Sequence, residues 1–273
     1  MDITARQLAQ VLQDKYLHVP VVVENKKGAG GLVALNHVLS QPSDGYTLFG
    51  LTSSVISKAV QARQHARLDG LHYLARLVTD YECLITSSGS EISDFETLVQ
   101  SGRANPGSQI WAGPAAGGTD HIFAQKVWNK LGISAKWIPY RSGGEALAAI
   151  LGKHAHVYVG NPQDVVGRSD LRIAAVAAPN RLSHFKDAPT FEELGYPELT
   201  GEMLWRGFAV RKGVEEARVE FLESVLSRAI KDPQWIKFIE SANVQSTFDT
   251  AENFEQIVRQ QIVSDREFFH SNG

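Results

Sequence analysis

Apolar and polar positions change along the chain in blocks that predict strands and helices in turn. Short runs rich in β-branched or aromatic residues, at 21–24 and 46–51, predict buried strands, and each is followed by a helical pattern. The alternation predicts an α/β fold whose parallel strands are joined by right-handed crossovers. A further helix is predicted to begin with Asp2 as its N-cap.

The same alternation continues through the middle of the chain. An apolar segment at 72–86 predicts one long strand or two. The remaining predicted strands are 109–112, 135–140, 155–159, 171–178 and one beginning at Trp205, with helices at 94–102, at 142–151 and after residue 118. Everything after the Trp205 strand is predicted to be helical, in segments 215–231, 233–241 and 251–269.

A turn of small residues at 113–118 separates a predicted strand from a helix. Thr119 or Asp120 is predicted to cap that helix, since a short polar side chain can accept from its first free N–H groups. A glycine-rich turn that opens a helix can bind an anion, typically a carboxylate or phosphate. The alternative is a tight strand-to-helix turn that binds nothing.

Composition places the chain among average soluble globular proteins. It has 273 residues, 43% of them hydrophobic and 21% charged, and its net charge of -3 gives no electrostatic support for binding nucleic acid or an anionic membrane. The sole cysteine, Cys83, excludes an internal disulfide and is predicted to be a core residue. No run is long and apolar enough to span a bilayer.

Several segments, taken in order along the chain, form a series of motifs. The series begins with VENKKGAGG at 23–31 and PSDGYTL at 42–48. It continues with the turn and helix at 113–121, and with PYRSGGEAL and LGKHAHV. Residues 171–178, DAPTFEELG at 187–195 and WRGF at 205–208 complete the series. In this order the segments resemble the solute receptors of tripartite tricarboxylate transporters, the Bug family, in which PYRSGGEAL and LGKHAHV are similar to the segment "PYKGGGEAL…LLGGHVD".

The resemblance implies a type II periplasmic-binding-protein fold, with two α/β lobes joined by crossing strands and a ligand cleft between them, as in a Venus flytrap. One lobe would combine 1–85 with 206–273, and the other would span 86–205. The family implies a periplasmic, monomeric receptor for a small carboxylate: a di- or tricarboxylate, an acidic amino acid or an aromatic acid. Its partners would be the membrane subunits of the transporter, with no cofactor, no nucleic acid and no membrane insertion.

The beginning of the sequence departs from the family pattern. Family members start with a signal peptide, a first strand and a glycine-rich loop ending "GGxxD", whereas here Met1 is followed at once by Asp2, at the final acidic position of that loop. The sequence as written therefore carries no signal peptide and predicts an N-terminally truncated first lobe. We expect such a chain to bind its ligand poorly.

Three predicted strand-to-helix turns supply the candidate ligand-binding residues. They are Thr52, Ser53 and Ser54 in the first turn, Ala116, Gly117, Gly118 and Thr119 in the second, and Gly160 and Asn161 in the third. Backbone N–H groups, hydroxyls and an amide suit a carboxylate because hydrogen bonds to a charged acceptor are strong. His121 and Arg206 are further candidates, with a satisfied structural histidine and an interdomain salt bridge as their alternatives.

Other motifs carry no comparable chemistry. The turn at 28–31 lacks the Lys-Ser/Thr ending of a phosphate-binding loop and is predicted to be structural. His154 and His156 have no acidic or cysteine companions nearby, so no metal site is predicted. Catalytic signatures are missing, and the chain is predicted not to be an enzyme. The rival functions are a doubly wound α/β enzyme acting on a small anion and a ligand-sensing effector domain.

Overall fold

In this computed structural model the chain folds into two compact units. The structure describes residues 1–242 and 244–271. Unit 1 combines Met1–Thr79 with Trp205–Gly273, and unit 2 is Asp80–Leu204. The helices are α1 (Asp2–Leu12), α2 (Leu32–Ser40), α3 (Ser53–Gln61), α4 (Phe95–Ala104), α5 (Thr119–Leu131), α6 (Gly143–Leu151), α7 (Glu216–Ala229), α8 (Pro233–Ala242) and α9 (Ala251–Ser271). The strands are β1 (Leu48–Thr52), β2 (Leu71–Tyr81), β3 (Cys83–Ser87), β4 (Gln109–Pro114), β5 (Ala135–Tyr140), β6 (Val157–Gly160), β7 (Leu171–Val176), β8 (Met203–Arg211) and β9 (Gln245–Asp249).

The sheet of unit 1 has the strand order β1-β8-β2-β9. β1 pairs with β8, and β2 with β9, in antiparallel directions, whereas the alternation of strands and helices predicted parallel pairing. Strand β9 was also missed, because its sequence lies between two helical patterns and only its pairing with β2 marks it as a strand. Of the part of the chain that the structure describes, no helix is long and apolar enough to cross a membrane.

The predicted strand at 21–24 is not formed. This segment has no regular secondary structure, and Val22 is 84% exposed although its β-branched neighbours suggested burial on both faces. A strand needs a neighbouring strand to accept and donate its backbone hydrogen bonds. Here the N–H of Val21 donates instead to Oε1 of Gln13, at 3.2 Å. The expected parallel partner of β1 is therefore absent from the described sheet.

Unit 1 is built around two apolar clusters. One cluster joins α1, α7 and α8 to β2 through residues such as Leu8, Leu77 and Trp235. The other joins α2, α3 and α9 to β1 and β8, with Phe254 of α9 fully buried. Burial of these side chains is the main stabilising contribution in this unit.

Unit 2 contains a five-stranded sheet with the order β5-β4-β6-β3-β7. β4 runs parallel to β5 and β6, and β3 runs antiparallel to β6 and β7. The pattern at 72–86 left open whether this segment forms one strand or two. It forms two, β2 and β3. Cys83 is fully buried and its Sγ donates to the carbonyl of Gly160 at 3.2 Å, which confirms it as a core residue.

Helix starts agree only in part with the capping predictions. Asp94 caps α4, and the N–H of Thr97 donates to its carboxylate at 2.9 Å. The predicted caps Thr119 and Asp120 are wrong, since Gly118 is the N-cap of α5 and both residues lie inside the helix. Asp2 likewise lies inside α1, where its carboxylate binds Arg6 one turn further on.

Candidate functional site

The carboxyl ends of β4, β5 and β6 lie at one edge of the sheet of unit 2. Because the three strands are parallel, with Ala112 aligned to Ile138 and to Tyr158, β4, β5 and β6 end at nearly the same level. Neighbouring strands are about 4.8 Å apart. The segments that leave these strands are therefore close together at an edge where ligands of α/β sheets commonly bind.

The turn between β4 and α5 is held in a strained but well-anchored conformation. Ala115 has a positive φ of 56° and Gly117 one of 75°. The N–H of Ala115 donates to the carbonyl of Tyr140 at 2.9 Å, and Nε1 of Trp137 donates to the carbonyl of Ala115 at 2.9 Å. A non-glycine residue at positive φ costs energy, so the surrounding hydrogen bonds must fix it.

Helix α5 begins directly after this turn without a side-chain cap. Its N-cap is Gly118, and the first N–H groups of any helix have no acceptor within that helix. The positive end of the helix dipole adds to their attraction for an anion. Ala116, Gly117, Gly118 and Thr119 thus surround a helix N-terminus suited to a carboxylate.

His121 supports the turn from inside α5. The N–H of Gly117 donates to its Nδ1 at 3.1 Å, and its ring stacks on Trp137 with centroids 4.9 Å apart. Burial lowers the pKa of His121, which favours the neutral imidazole. Since Nδ1 accepts, the neutral ring carries its proton on Nε2 and can donate there.

Asn161 follows β6 at the same edge of the sheet. Its N–H donates to Oδ2 of Asp164 at 3.1 Å, and the hydroxyl of Tyr158 donates to the same oxygen at 2.9 Å. The amide Nδ2 of Asn161 is buried and has no hydrogen-bond partner among the described residues. A buried donor without an acceptor is costly, so this amide is a candidate ligand contact.

Gly160 holds this segment close to Tyr158. A Cβ added at Gly160 would lie 2.4 Å from Cζ of Tyr158, closer than non-bonded atoms approach. The position therefore requires glycine for packing, and its contribution to the candidate site is the placement of Asn161.

In unit 1 the sequence candidates gather where β1 passes into α3. Thr52 is the last residue of β1 and pairs across the ladder with Arg206 of β8, so their side chains share one face. Ser53 and Ser54 form the first turn of α3. Ser53 is 1% exposed, and its Oγ has no hydrogen-bond partner among the described residues.

The structure therefore forms two groups of candidate residues, one in each unit. Unit 2 brings together the turn before α5, His121 and the segment at 160–161. Unit 1 pairs Thr52 with Arg206, and Ser53 and Ser54 follow Thr52 in α3. The sequence did not mark the buried acidic side chains Glu82 and Asp120 of unit 2, because an acid in the first turn of a helix suggests only capping and Glu82 stands in no recognisable motif.

The residues set aside on sequence grounds have structural roles. Gly30 and Gly31 adopt positive φ and pack against Lys58 and Val55 of α3, as expected of a structural turn. Nδ1 of His156 accepts from the N–H of Ile110 at 2.9 Å. Within residues 1–242 and 244–271, no group of three or more His, Cys, Asp or Glu side chains could hold a metal ion.

Comparison with known proteins gives one consistent match. Residues 4–272 match the sequence model of the family described as "Tripartite tricarboxylate transporter family receptor". The chain is 29% identical to Protein BugT of Bordetella pertussis over 238 residues, which cover 84% of this chain and 72% of BugT.

Two solved structures extend the comparison to the fold. A structure described as that of a periplasmic transporter is 25% identical, has a TM-score of 0.91 and covers 100% of this chain and 92% of its own. MatC of Rhodopseudomonas palustris with bound malate is 20% identical, with a TM-score of 0.86 and coverage of 98% of this chain and 93% of its own. They confirm the predicted type II periplasmic-binding-protein fold.

Proposed function

Because the chain belongs to the tripartite tricarboxylate transporter receptor family, whose members are periplasmic solute-binding proteins and not enzymes, we propose that it captures a small carboxylate for such a transporter. The proposed ligand is a di- or tricarboxylate, with an acidic amino acid or an aromatic acid as further members of the class. The proposed partners are the membrane subunits of the transporter, and the proposed location is the periplasm. We expect the protein to act as a monomer.

The observation that carries the proposal is the uncapped N-terminus of α5 beside Asn161. An anion at this helix end is attracted by the helix dipole and accepts hydrogen bonds from N–H groups. The unpartnered Nδ2 of Asn161 lies at the same edge of the sheet. A hydrogen bond to a charged group contributes about 1.5–3 kcal/mol, so two or three such bonds contribute several kcal/mol to binding.

Unit 1 carries donors of its own. The unpartnered Oγ of Ser53 and the guanidinium of Arg206 are fit to bind a carboxylate group or a hydroxyl. The malate bound by the similar protein MatC has this combination of groups, with two carboxylates and a hydroxyl. Dicarboxylates that also carry a hydroxyl group are therefore the first ligands to test here.

A thermal-shift screen with matched ligand pairs tests the proposal. Each acid is compared with a neutral analogue of the same shape, such as malate with its diamide, or benzoate with benzamide. We expect at least one acid to raise the melting temperature while its neutral partner does not, because the donors recognise charge. Stabilisation by sugars or by the neutral analogues alone would contradict a carboxylate receptor.

A further inference from the structure

One side-chain amide of helix α9 connects three elements of unit 1. Oε1 of Gln261 accepts from Nε1 of Trp205 in β8 at 3.0 Å, and its Nε2 donates to the carbonyl of Ser53 in α3 at 3.0 Å. Nε2 also donates to Oγ of Ser57, at 3.1 Å. Because an indole N–H can only donate, the amide has one orientation here, with its oxygen towards β8 and its N–H groups towards α3.

The groups around this amide form a buried hydrogen-bond network. Oγ of Ser57 donates to Oδ2 of Asp265 at 2.7 Å, so the hydroxyl uses its proton there and its oxygen accepts from Gln261. Both residues are buried, as is Trp205, whose ring packs edge-on against Phe254 with centroids 5.1 Å apart. Buried networks in which donors meet acceptors are rigid. Helix α9 therefore holds the start of α3 in a fixed position relative to β8.

The two residues that Gln261 connects adjoin a candidate pair of unit 1. Ser53 directly follows Thr52 in sequence. Trp205 directly precedes Arg206, which pairs with Thr52 across the ladder of β1 and β8. One side chain of α9 thus fixes the backbone of α3 and the ring of β8 next to this pair.

The hydroxyl of Ser53 is not used by the network. Its carbonyl is held by Gln261, whereas its Oγ is buried and has no hydrogen-bond partner among the residues that the structure describes. A buried hydroxyl without a partner is costly, and a carboxylate that reached it would accept its hydrogen bond. The backbone of Ser53 is therefore fixed while its hydroxyl is left for a ligand.

We propose that Gln261 is a positioning residue for carboxylate binding in unit 1: by holding the carbonyl of Ser53 and the indole of Trp205 together, it directs the Ser53 hydroxyl to the bound carboxylate. The proposal rests on the proposed function, because Ser53 is one of its candidate donors. Gln261 itself does not touch the ligand. Its effect on affinity therefore passes through Ser53.

Amide hydrogen exchange of the ligand-free protein tests the positioning of α3. Gln261→Met keeps the length of the side chain and removes its hydrogen bonds, and Gln260→Met makes the same change at an exposed position of α9. We expect exchange at 57–61 to be at least about tenfold faster in Gln261→Met and to stay within about twofold of the parent in Gln260→Met. Exchange in α7, which packs in the other apolar cluster, should change by less than about twofold in both.

Equal exchange at 57–61 in these two variants would show that the proposal is wrong, whether or not a ligand is known. If Gln261→Met does not fold, Gln261→Asn takes its place, because its amide is one methylene too short to reach both Trp205 and Ser53. The same exchange pattern is expected for it.

Isothermal titration with malate in a double-mutant cycle tests whether Gln261 acts through Ser53. Ser53→Ala removes the hydroxyl but leaves the carbonyl that Gln261 holds. We expect Ser53→Ala and Gln261→Met each to weaken binding by about tenfold, which is the effect of one hydrogen bond to a charged group. The double variant should bind no more than about threefold more weakly than Ser53→Ala alone, whereas independent effects would multiply.

Three results of this cycle overturn the proposal: an unchanged affinity in Ser53→Ala, an unchanged affinity in Gln261→Met, or an effect of Gln261→Met that is undiminished when the Ser53 hydroxyl is absent. The last result is the one that a merely structural role of Gln261 predicts. An absence of binding by any carboxylate in the parent protein counts against the proposed function, and the exchange measurement then decides on the positioning of α3 alone.

Discussion

At the scale of single residues, the amide of Asn161 makes the sharpest prediction for ligand binding. Asn161→Asp keeps the size of the side chain but replaces the unpartnered Nδ2 donor with a charged acceptor. Loss of one hydrogen bond to a charged group costs about 1.5–3 kcal/mol, and repulsion adds to it, so we expect carboxylate binding to weaken by about 10- to 100-fold or more. Isothermal titration of variant and parent measures the change.

Asn105→Asp is the matched control for this prediction, since Asn105 is exposed in the same unit. It makes the same chemical change away from the candidate site and should leave affinity within about twofold, because exposed charges are well screened. Equal affinities of the Asn161 variant and the parent would show that Asn161 does not contact the ligand.

Some of these residue roles could be predicted from the sequence and others could not. The turn at 113–118 and Asn161 could be predicted, because each lies in a predicted strand-to-helix turn whose N–H and amide groups suit a carboxylate. The raised pKa values of Glu82 and Asp120 became visible only in three dimensions, since they arise from burial and from acids distant in sequence. The sequence around a carboxyl group does not show the dielectric surroundings of that group in the folded protein.

At the scale of secondary-structure elements, the end of β6 is predicted to tolerate no side chain at Gly160. A Cβ there would lie 2.4 Å from Cζ of Tyr158, whose hydroxyl holds Asp164 and through it the segment of Asn161. Gly160→Ala should destabilise unit 2 by about 1–3 kcal/mol and weaken ligand binding as well. Thermal unfolding and ligand titration are the two measurements.

Gly89→Ala provides the comparison, because a Cβ at Gly89 meets nothing within 4 Å and its φ is not positive. Its stability should stay within about 0.5 kcal/mol of the parent value. A Gly160 variant as stable as the Gly89 variant would show that Tyr158 moves aside freely.

The pairing of β2 with β9 gives a second prediction at this scale. Arg76 of β2 is 8% exposed, and its Nε donates to Oδ2 of Asp249 at 2.6 Å. Arg76→Met leaves the Asp249 charge without its partner in a largely buried position, so we expect a loss of about 3–5 kcal/mol in the free energy of unfolding. Urea unfolding measures it.

An exposed ion pair supplies the control for Arg76. Arg259 contacts Glu255 one turn earlier in α9, and their side chains are 61% and 40% exposed. Arg259→Met should cost only about 0.3–0.5 kcal/mol. Similar losses in the two variants would mean that the Arg76 pair is as well hydrated as a surface pair.

The elements that the sequence predicted correctly share a strong local pattern. Helices α4, α6 and α9 have clear amphipathic periods, and the polar caps Asp94 and Ser142 mark the starts of α4 and α6. The misses depend on partners distant in sequence. The apolar run at 21–24 has strand composition but no described strand to pair with, and β9 is a strand only because β2 lies beside it.

At the scale of the whole molecule, the family and the fold could be predicted because the matching segments extend over nearly the whole chain. The family match confirms that interpretation over residues 4–272. The identity of the ligand could not be predicted in the same way, since the donors that recognise it are largely backbone groups. Any small carboxylate offers them the same acceptor.

The central claim is that this protein binds a small carboxylate by its charge. Its most direct test is an isothermal titration of the 273-residue chain with malate, citrate and adipate, alongside the diamide of malate. We predict saturable binding of at least one acid at one ligand per chain, abolished or strongly weakened for the diamide, because the donors gain most from a charged acceptor. Equal binding of malate and its diamide, or no binding of any acid, would contradict the account.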